Sequence, residues 1–300
     1  QSESASLNEN EFELVVDEGS GDEEVYAYDS TAAIDYPDWG MDDYEPYEET
    51  PYNPSRKKYL DLIHTKIEAS FNWEKSQMNG LASITLKPHF HATDSAVLDA
   101  KGMEILKVTL NNKELSYDYP DQNKLTVRLG KTYSKNEPFT LVIKYIAKPE
   151  ERETSGSQAI TSDKGLYFIN PKGEKDGLMP QIWTQGETEA NSVWFPTLDA
   201  PNSKSTQEVL LTVDDKYTTL SNGRMVSSKK NSDGTRTDYW KQDLPHAPYL
   251  FMLAVGEFKV VKDFYTRKDG KKMEVNYYVE PEYEKDARAI FGKTPKMIKF

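Results

Sequence analysis

A mainly β fold is predicted, as an antiparallel sandwich or a large curved sheet, on three observations. From Arg56 onward short apolar runs recur about every 10–15 residues, clusters of turn-forming residues separate them, and no convincing long helix lies between them. The 300 residues suffice for one large β domain or two smaller ones with a sizeable core. Charge is distributed unevenly. Residues 1–50 hold 17 Asp or Glu and no Lys or Arg, whereas the remaining 250 hold 33 acids against 37 bases. The net charge of -13 therefore belongs to the N-terminal segment, and the rest is close to neutral.

Residues 1–55 read as an acidic, disordered tail or linker ending in Tyr36, Tyr44, Tyr47 and Tyr52, interspersed with Pro37, Pro46, Pro51 and Pro54. Dense like charge and few aliphatic residues cannot offset the entropy of ordering such a segment. It reads first as a solvated spacer, with docking of its tyrosines on a partner or on its own domain as the alternative. Asp17–Glu24 lacks the alternating oxygen ligands and terminal Glu of a calcium loop.

The first strands are expected at Tyr59–Trp73 and Gly80–Phe90, joined by a tight hairpin at Asn79-Gly80, where both residue types tolerate positive φ. Leu81–Leu86, Ile105–Leu110, Leu125–Leu129 and Phe139–Tyr145 continue the pattern, separated by Asn111-Asn112, Asp121–Asn123 and Asn136 with Pro138. A polar loop over 149–164 precedes a strand and turn at Gly165–Pro171. Further strands fall at Val209–Val213, Thr237–Trp240 and Tyr249–Val255; the last is apolar on both faces and belongs in the middle of a sheet. The pattern changes near residue 264. Lys268–Lys271 forms a hairpin turn, Met273–Val279 a strand, and Glu284–Phe291 a helix capped by Gly292. Thr294-Pro295 opens a second helix running to Phe300. That helix lacks a cap, so the domain it belongs to is expected to be cut short there.

Several chemistries are excluded or unsupported. With no cysteine there is no disulfide scaffold, thiolate catalysis or Cys-ligated zinc. No basic stripe marks a nucleic-acid surface, and no run of 18 apolar residues spans a membrane. The chain opens on Gln1, and a signal peptide is expected to have been removed already, which points to a secreted or periplasmic protein. There is no Gly-x-Ser-x-Gly elbow. Of the four histidines, His89 and His91 would share one face of a strand and could hold a metal, but no carboxylate or His partner is identifiable. His64 and His246 read as structural.

One stretch carries more. Gln185-Gly186-Glu187 follows the apolar approach Gln181–Thr184 and precedes the aromatic pair Trp194-Phe195. A carboxylate screened by aromatics attracts an ammonium group more strongly than an open surface acid does. Gln185 offers both a donor and an acceptor, on the same side if the segment is extended. Phe195-Pro196, Asp199 and Pro201 follow at fixed offsets, then Leu220-Ser221-Asn222-Gly223. This series, Q-x-E, F-P-x-x-D-x-P and S-N-G, resembles the signature of the aminopeptidase N-like family of zinc metallopeptidases (gluzincins). Tyr249–Phe258 and the Leu98-Asp99-Ala100 turn extend the resemblance over residues 56–300. Ser192, Thr197 and Ala200 depart from it, standing where the family often has Arg, Cys and Glu.

The resemblance implies a saddle-like β domain over 56–263, followed by the truncated start of an α/β thermolysin-like catalytic domain at 264–300. It implies peptide substrates with a free N-terminus, their α-amine anchored by Glu187, with Gln185 lining the pocket for the first side chain. It also implies zinc in the full-length enzyme. The Gly-x-Met-Glu-Asn and His-Glu-x-x-His motifs are absent from these 300 residues, so no catalytic residue and no bound metal are expected in this chain, which should be inactive without its catalytic domain. The alternatives are a non-catalytic interaction module or scaffold of the same architecture, or a surface adhesin sandwich.

Overall fold

Alternation of buried and half-exposed side chains shapes the central strands of the largest sheet. A computed structural model describes residues 56–153 and 162–300. The acidic segment with its Tyr/Pro series, and the middle of the polar loop (154–161), lie outside the described residues. The first half contains β1 (Leu60–Asn72), β2 (Gln77–Pro88), β3 (Thr93–Asp99), β4 (Glu104–Leu110), β5 (Lys113–Glu114), β6 (Tyr117–Asp118), β7 (Lys124–Tyr133) and β8 (Phe139–Ala147). Then come β9 (Leu166–Ile169), β10 (Gln181–Thr184), β11 (Ser205–Asp214), β12 (Thr218–Ser221), β13 (Arg224–Lys230), β14 (Thr235–His246) and β15 (Leu253–Gly256). The hairpin β16 (Lys259–Thr266) and β17 (Lys272–Val279) leads to α1 (Ala287–Phe291) and α2 (Thr294–Lys299). The chain is mainly β, and among the described residues no helix is long and apolar enough to cross a membrane.

An eight-stranded sheet runs β13-β14-β11-β1-β2-β8-β4-β5, beside a four-stranded sheet β12-β15-β10-β9 and a three-stranded sheet β3-β7-β6. One apolar cluster draws on all three: Ile67, Ile84 and Ile143 from the first, Ile182 and Val255 from the second, Leu98 and Val127 from the third. Burial of such side chains is the main term favouring the fold. Thr219 Oγ1 donates to buried Asp238 Oδ2 at 2.7 Å, and Trp240 Nε1 donates to Thr219 Oγ1 at 3.0 Å, which ties β12 to β14 of the large sheet.

Four details depart from the sequence reading. The large sheet is mixed, because β1 pairs parallel with β11 from His64↔Thr206 to Ser70↔Thr212. Parallel partners need a long crossover, and all of β2 to β10 lies between these two strands in sequence. Second, Asn79-Gly80 is not the hairpin turn. The chain turns at Trp73–Ser76, and Gly80 sits inside β2 opposite Tyr145, where a Cβ would overlap the tyrosine ring. Third, only Leu253–Gly256 of the expected strand Tyr249–Val255 is extended. It is central, between β12 and β10, but Pro248–Leu250 forms a 3-10 turn. Fourth, α1 begins at Ala287 after a 3-10 turn at Pro281–Tyr283, and Gly292 ends it with φ -65, its N–H donating to Arg288 O at 2.9 Å. The turn joining β16 and β17 falls where expected, with Gly270 at φ +79.

Candidate functional site

The Q-x-E tripeptide leaves the end of β10 and enters a turn. Gln185 N–H donates to Gly165 O at 3.0 Å, carrying the extended pairing one residue past the strand, and its side chain is half-buried. Gly186 is buried against Tyr249 O and the Asn191 side chain, so tightly that no Cβ fits there. Its carbonyl accepts from Ala190 N–H at 2.9 Å, closing the turn. Glu187, between these fixed points, is exposed, and its carboxylate takes no hydrogen bond or ion pair from the described residues. The Glu187–Thr188 peptide bond is cis.

The residues that follow form the frame of this turn. Asn191, fully buried, donates through Nδ2 to Phe251 O at 2.8 Å and to Pro248 O, and accepts at Oδ1 from Trp194 Nε1 at 2.7 Å. Tyr145 of the large sheet donates its hydroxyl to Trp194 O at 2.9 Å. The S-N-G element holds the same neighbouring segment from the other side. Ser221 Oγ donates to Met252 O at 2.7 Å, Asn222 Nδ2 donates to Leu250 O at 2.9 Å, and Asn222 Oδ1 accepts from Met252 N–H at 2.7 Å. Gly223, at φ +83, passes so close to Lys241 O that a side chain is excluded. These bonds explain why Tyr249–Val255 is not extended throughout: three of its carbonyls and the Pro248 carbonyl are claimed by side chains.

The F-P-x-x-D-x-P element is electrostatic as well as steric. Asp199, 1% exposed, accepts from Ser192 N–H at 2.9 Å, and its own N–H donates to Asp99 Oδ2 at 2.9 Å. Burial pushes the Asp199 carboxyl up to about 6, against the pull of the Ser192 donors and Lys101 and with the push of Asp99. Asp99 is held by Arg56 at 2.8 Å and by Lys124. Arg56 also reaches Glu189 at 2.9 Å, and Lys101 Nζ donates to Glu189 O at 2.6 Å. Thr197 pairs with Asp99 as an isolated antiparallel bridge, so the Leu98-Asp99-Ala100 segment and the signature turn are one unit. The departures fit this frame: Ser192 and Thr197 are buried and supply backbone bonds there.

The sequence thus marked two kinds of residue that the structure separates. Gln185 and Glu187 present side chains, whereas Asp199, Ser221 and Asn222 hold backbone and Phe195 packs its buried ring against Phe251. Asn191 and Tyr249 went unremarked as supports, since their roles depend on contacts from distant strands; the glycine between two polar residues was the available sign of close approach. The histidines lie elsewhere. β2 ends at Pro88, so His89 and His91 do not form an alternating strand pair. His89 Nδ1 meets Asp61 Oδ1 at 2.9 Å and His91 is exposed. His64 Nδ1 meets Thr206 Oγ1 at 2.7 Å and His246 Nε2 meets Gln207 Oε1 at 3.1 Å. Burial pushes both of these imidazoles below the usual histidine range.

A β-rich framework fixes one exposed acidic turn, and among the described residues no group of three or more His, Asp or Glu is placed to hold a metal. The chain belongs to the peptidase M1 family, residues 54–250 matching the Peptidase M1 N-terminal domain. It is 24% identical over 247 residues to leukotriene A-4 hydrolase of Xenopus laevis, covering 80% of this chain and 37% of that protein. It is 29% identical over 188 residues to aminopeptidase N of Haemophilus influenzae, covering 62% of this chain and 19% of that protein. Its fold matches Legionella pneumophila aminopeptidase A, solved with aspartic acid, at a TM-score of 0.62 and 20% identity over 77% of this chain and 25% of the other. It matches equally, at 0.62 and 18% identity, a variant M1 zinc metallopeptidase from Deinococcus radiodurans bound to a Tyr-Ser-Ala substrate, over 75% of this chain and 49% of the other. The chain therefore spans well under half the length of the curated relatives it matches.

Proposed function

We propose that this chain is the substrate-anchoring N-terminal part of a zinc-dependent aminopeptidase that removes N-terminal residues from peptides. Glu187 fixes the substrate's α-ammonium, and Gln185 beside it shapes the pocket for the first side chain. The observation that carries this reading is Glu187 itself, an exposed carboxylate without a partner among the described residues, on a turn pinned at Gly186, Ala190 and Asn191. The turn is already ordered, so on meeting a cation only the Glu187 side chain itself has to be fixed. Attraction strengthens as water is excluded around the pair.

The family and the names of its relatives support the peptidase reading. Anchoring the amine sets the register of the peptide, so that one bond only is offered for cleavage; this positioning is the source of exopeptidase selectivity. The described residues do not fit zinc, having no suitable donor group, so the metal falls to the remainder of the full-length protein and the share of this chain is positioning.

In the full-length enzyme Glu187→Ala is expected to raise KM and to lower kcat/KM more than tenfold, a loss of ~1.4 kcal/mol or more of transition-state stabilisation. Steady-state kinetics on peptides with free and N-acetylated termini measure it. Wild-type kinetics in the variant remove the anchor role, and a full-length protein without any peptidase activity favours the interaction module.

A further inference from the structure

Away from the Q-x-E turn, a cavity of about 440 Å³ opens beside β3, an edge strand of the three-stranded sheet. Ala96 and Leu98 are fully buried in the common core, so Ser95, Val97 and Asp99 turn to the other face of the strand and line the cavity. Residues 56–60, which lead into β1, form another part of the lining, together with Leu198 and Ala200. Neither Gln185 nor Glu187 belongs to it.

The outer edge of β3 is closed on both sides of a single residue. Asp99 N–H donates to Thr197 O at 2.7 Å, and Asp99 O accepts from Thr197 N–H at 3.0 Å. Thr93 Oγ1 closes Ser95, accepting from its N–H at 3.2 Å and donating to its O at 3.0 Å. Residues two apart in a strand direct their backbone groups to the same edge, so the Val97 N–H and C=O face outward between these two. The register agrees, because Arg128, opposite Ser95 in β7, gives its N–H to Ser116 O instead. The pairing with Thr197 stops at that one bridge, and Ala200 N–H turns back to Leu198 O at 2.8 Å. No partner for the Val97 backbone groups is found among the described residues, so β3 presents one free donor and one free acceptor beside the cavity.

The charge of the lining is one-sided. Arg56, Lys57, Lys58 and Lys124 stand against a single carboxylate, Asp99, which Arg56 and Lys124 share. Lys58 also pairs with Asp61 at 3.0 Å and Arg56 with Glu189, both outside the lining. Lys57 is exposed and has no ion pair among the described residues. Surplus cations favour an anionic partner, while Leu60, Val97 and Leu198 offer it apolar surface.

We propose that this groove docks an extended acidic peptide of a partner protein. The peptide exchanges two backbone hydrogen bonds with Val97, lays an apolar side chain against Leu60 and Leu198, and sets its carboxylates toward Lys57 and its neighbours. Backbone bonds to a sheet edge give such a complex its affinity, and the cavity and the cations give it specificity. The site shares no residue with the Q-x-E turn and does not depend on the anchoring role of Glu187.

The test titrates the full-length protein by calorimetry with a nonapeptide of alternating Glu and Tyr. Its N-terminus is acetylated and its C-terminus amidated, so it offers no α-ammonium to Glu187. Val97→Pro removes the outward N–H without taking a bond from β7 and is expected to weaken binding about tenfold or more. Lys57→Glu is expected to weaken it about threefold or more at low salt, and Glu187→Ala to leave it within about twofold. Because proline can also disturb the strand, the same peptide N-methylated at its odd or at its even residues probes the backbone bonds on the unaltered protein. One of the two methylated peptides is expected to bind about tenfold or more weaker than the parent. No binding of the parent peptide, equal binding of both methylated forms, or equal binding of a peptide with Ser in place of Tyr overturns the proposal. Loss of binding in Glu187→Ala alone assigns the peptide to the Q-x-E turn, and self-association abolished by Val97→Pro assigns the edge to a second copy of the chain; either result overturns it as well.

Discussion

Asp199 shows how a signature residue can be structural and still titrate in a useful range. Its carboxyl is buried between the Ser192 N–H, Lys101, and Asp99 with its own cations Arg56 and Lys124. Because the folded pKa is raised, from 3.8 to about 6, the folded state binds the proton more tightly than the unfolded chain. The resulting stability is fully present below pH ~4 and is lost as pH rises through ~6, by ~3 kcal/mol at ~1.4 kcal/mol per pH unit. His64 and His246, pushed down by burial, contribute a slope of opposite sign near and below their ordinary range, and that contribution cancels between variants that keep both. Asp199→Asn, which retains an acceptor for Ser192, is therefore expected to gain up to ~3 kcal/mol relative to wild type between pH 4 and pH 7. Urea unfolding of both proteins at the two pH values measures this; a pH-independent difference contradicts it. At this scale the sequence exposed the residue types of the site but not their division of labour. Nothing in Asp199 or Asn222 distinguishes a side chain that binds backbone from one that faces a ligand until the strands around it are placed.

At the scale of elements, β2 connects the sheet to the candidate site. Gly80 lies opposite Tyr145, whose ring occupies the space a Cβ would need and whose hydroxyl holds Trp194 O. Trp194 in turn positions Asn191, and Asn191 backs Gly186. Gly80→Ala is expected to displace the ring and to cost ~2–4 kcal/mol, from overpacking and from the lost hydrogen bond. Denaturant titration checks the size, and a loss below ~1 kcal/mol contradicts the packing argument. Pairing the change with Tyr145→Leu, which empties the space, is expected to give a total well short of the sum of the two single losses. The same position explains why the hairpin was misread. Asn-Gly is a turn signal when nothing crosses it, and here an aromatic ring from β8, some 65 residues later in the chain, needs the glycine within a strand. Where burial alternated along β1, β8 and β11 the strands were legible; where side chains took the carbonyls of Pro248, Leu250, Phe251 and Met252, the apolar run alone overstated the strand.

For the whole molecule, the spacing of strands and turns was enough to read a mainly β class, because long strands such as β1, β8 and β11 carry a two-residue period. The parallel union of β1 with β11 was not readable, since a pairing across that much chain depends on how the other sheets fill the space between. The same long-range packing divides the molecule energetically. One cluster unites three sheets, whereas β16, β17 and α1 bury only Val275, Tyr277 and Ala287, and leave Phe264, Met273 and Ile290 exposed. Local opening costs less where few apolar contacts are lost. Amides in β1, β2, β8 and β11 are expected to exchange only through global unfolding, and those of β16, β17 and α1 through an opening at least ~3 kcal/mol cheaper. Native-state hydrogen exchange resolved by segment measures both levels. A single protection level from Leu60 to Phe291 would show that the hairpin and first helix are locked to the main core despite their small cluster.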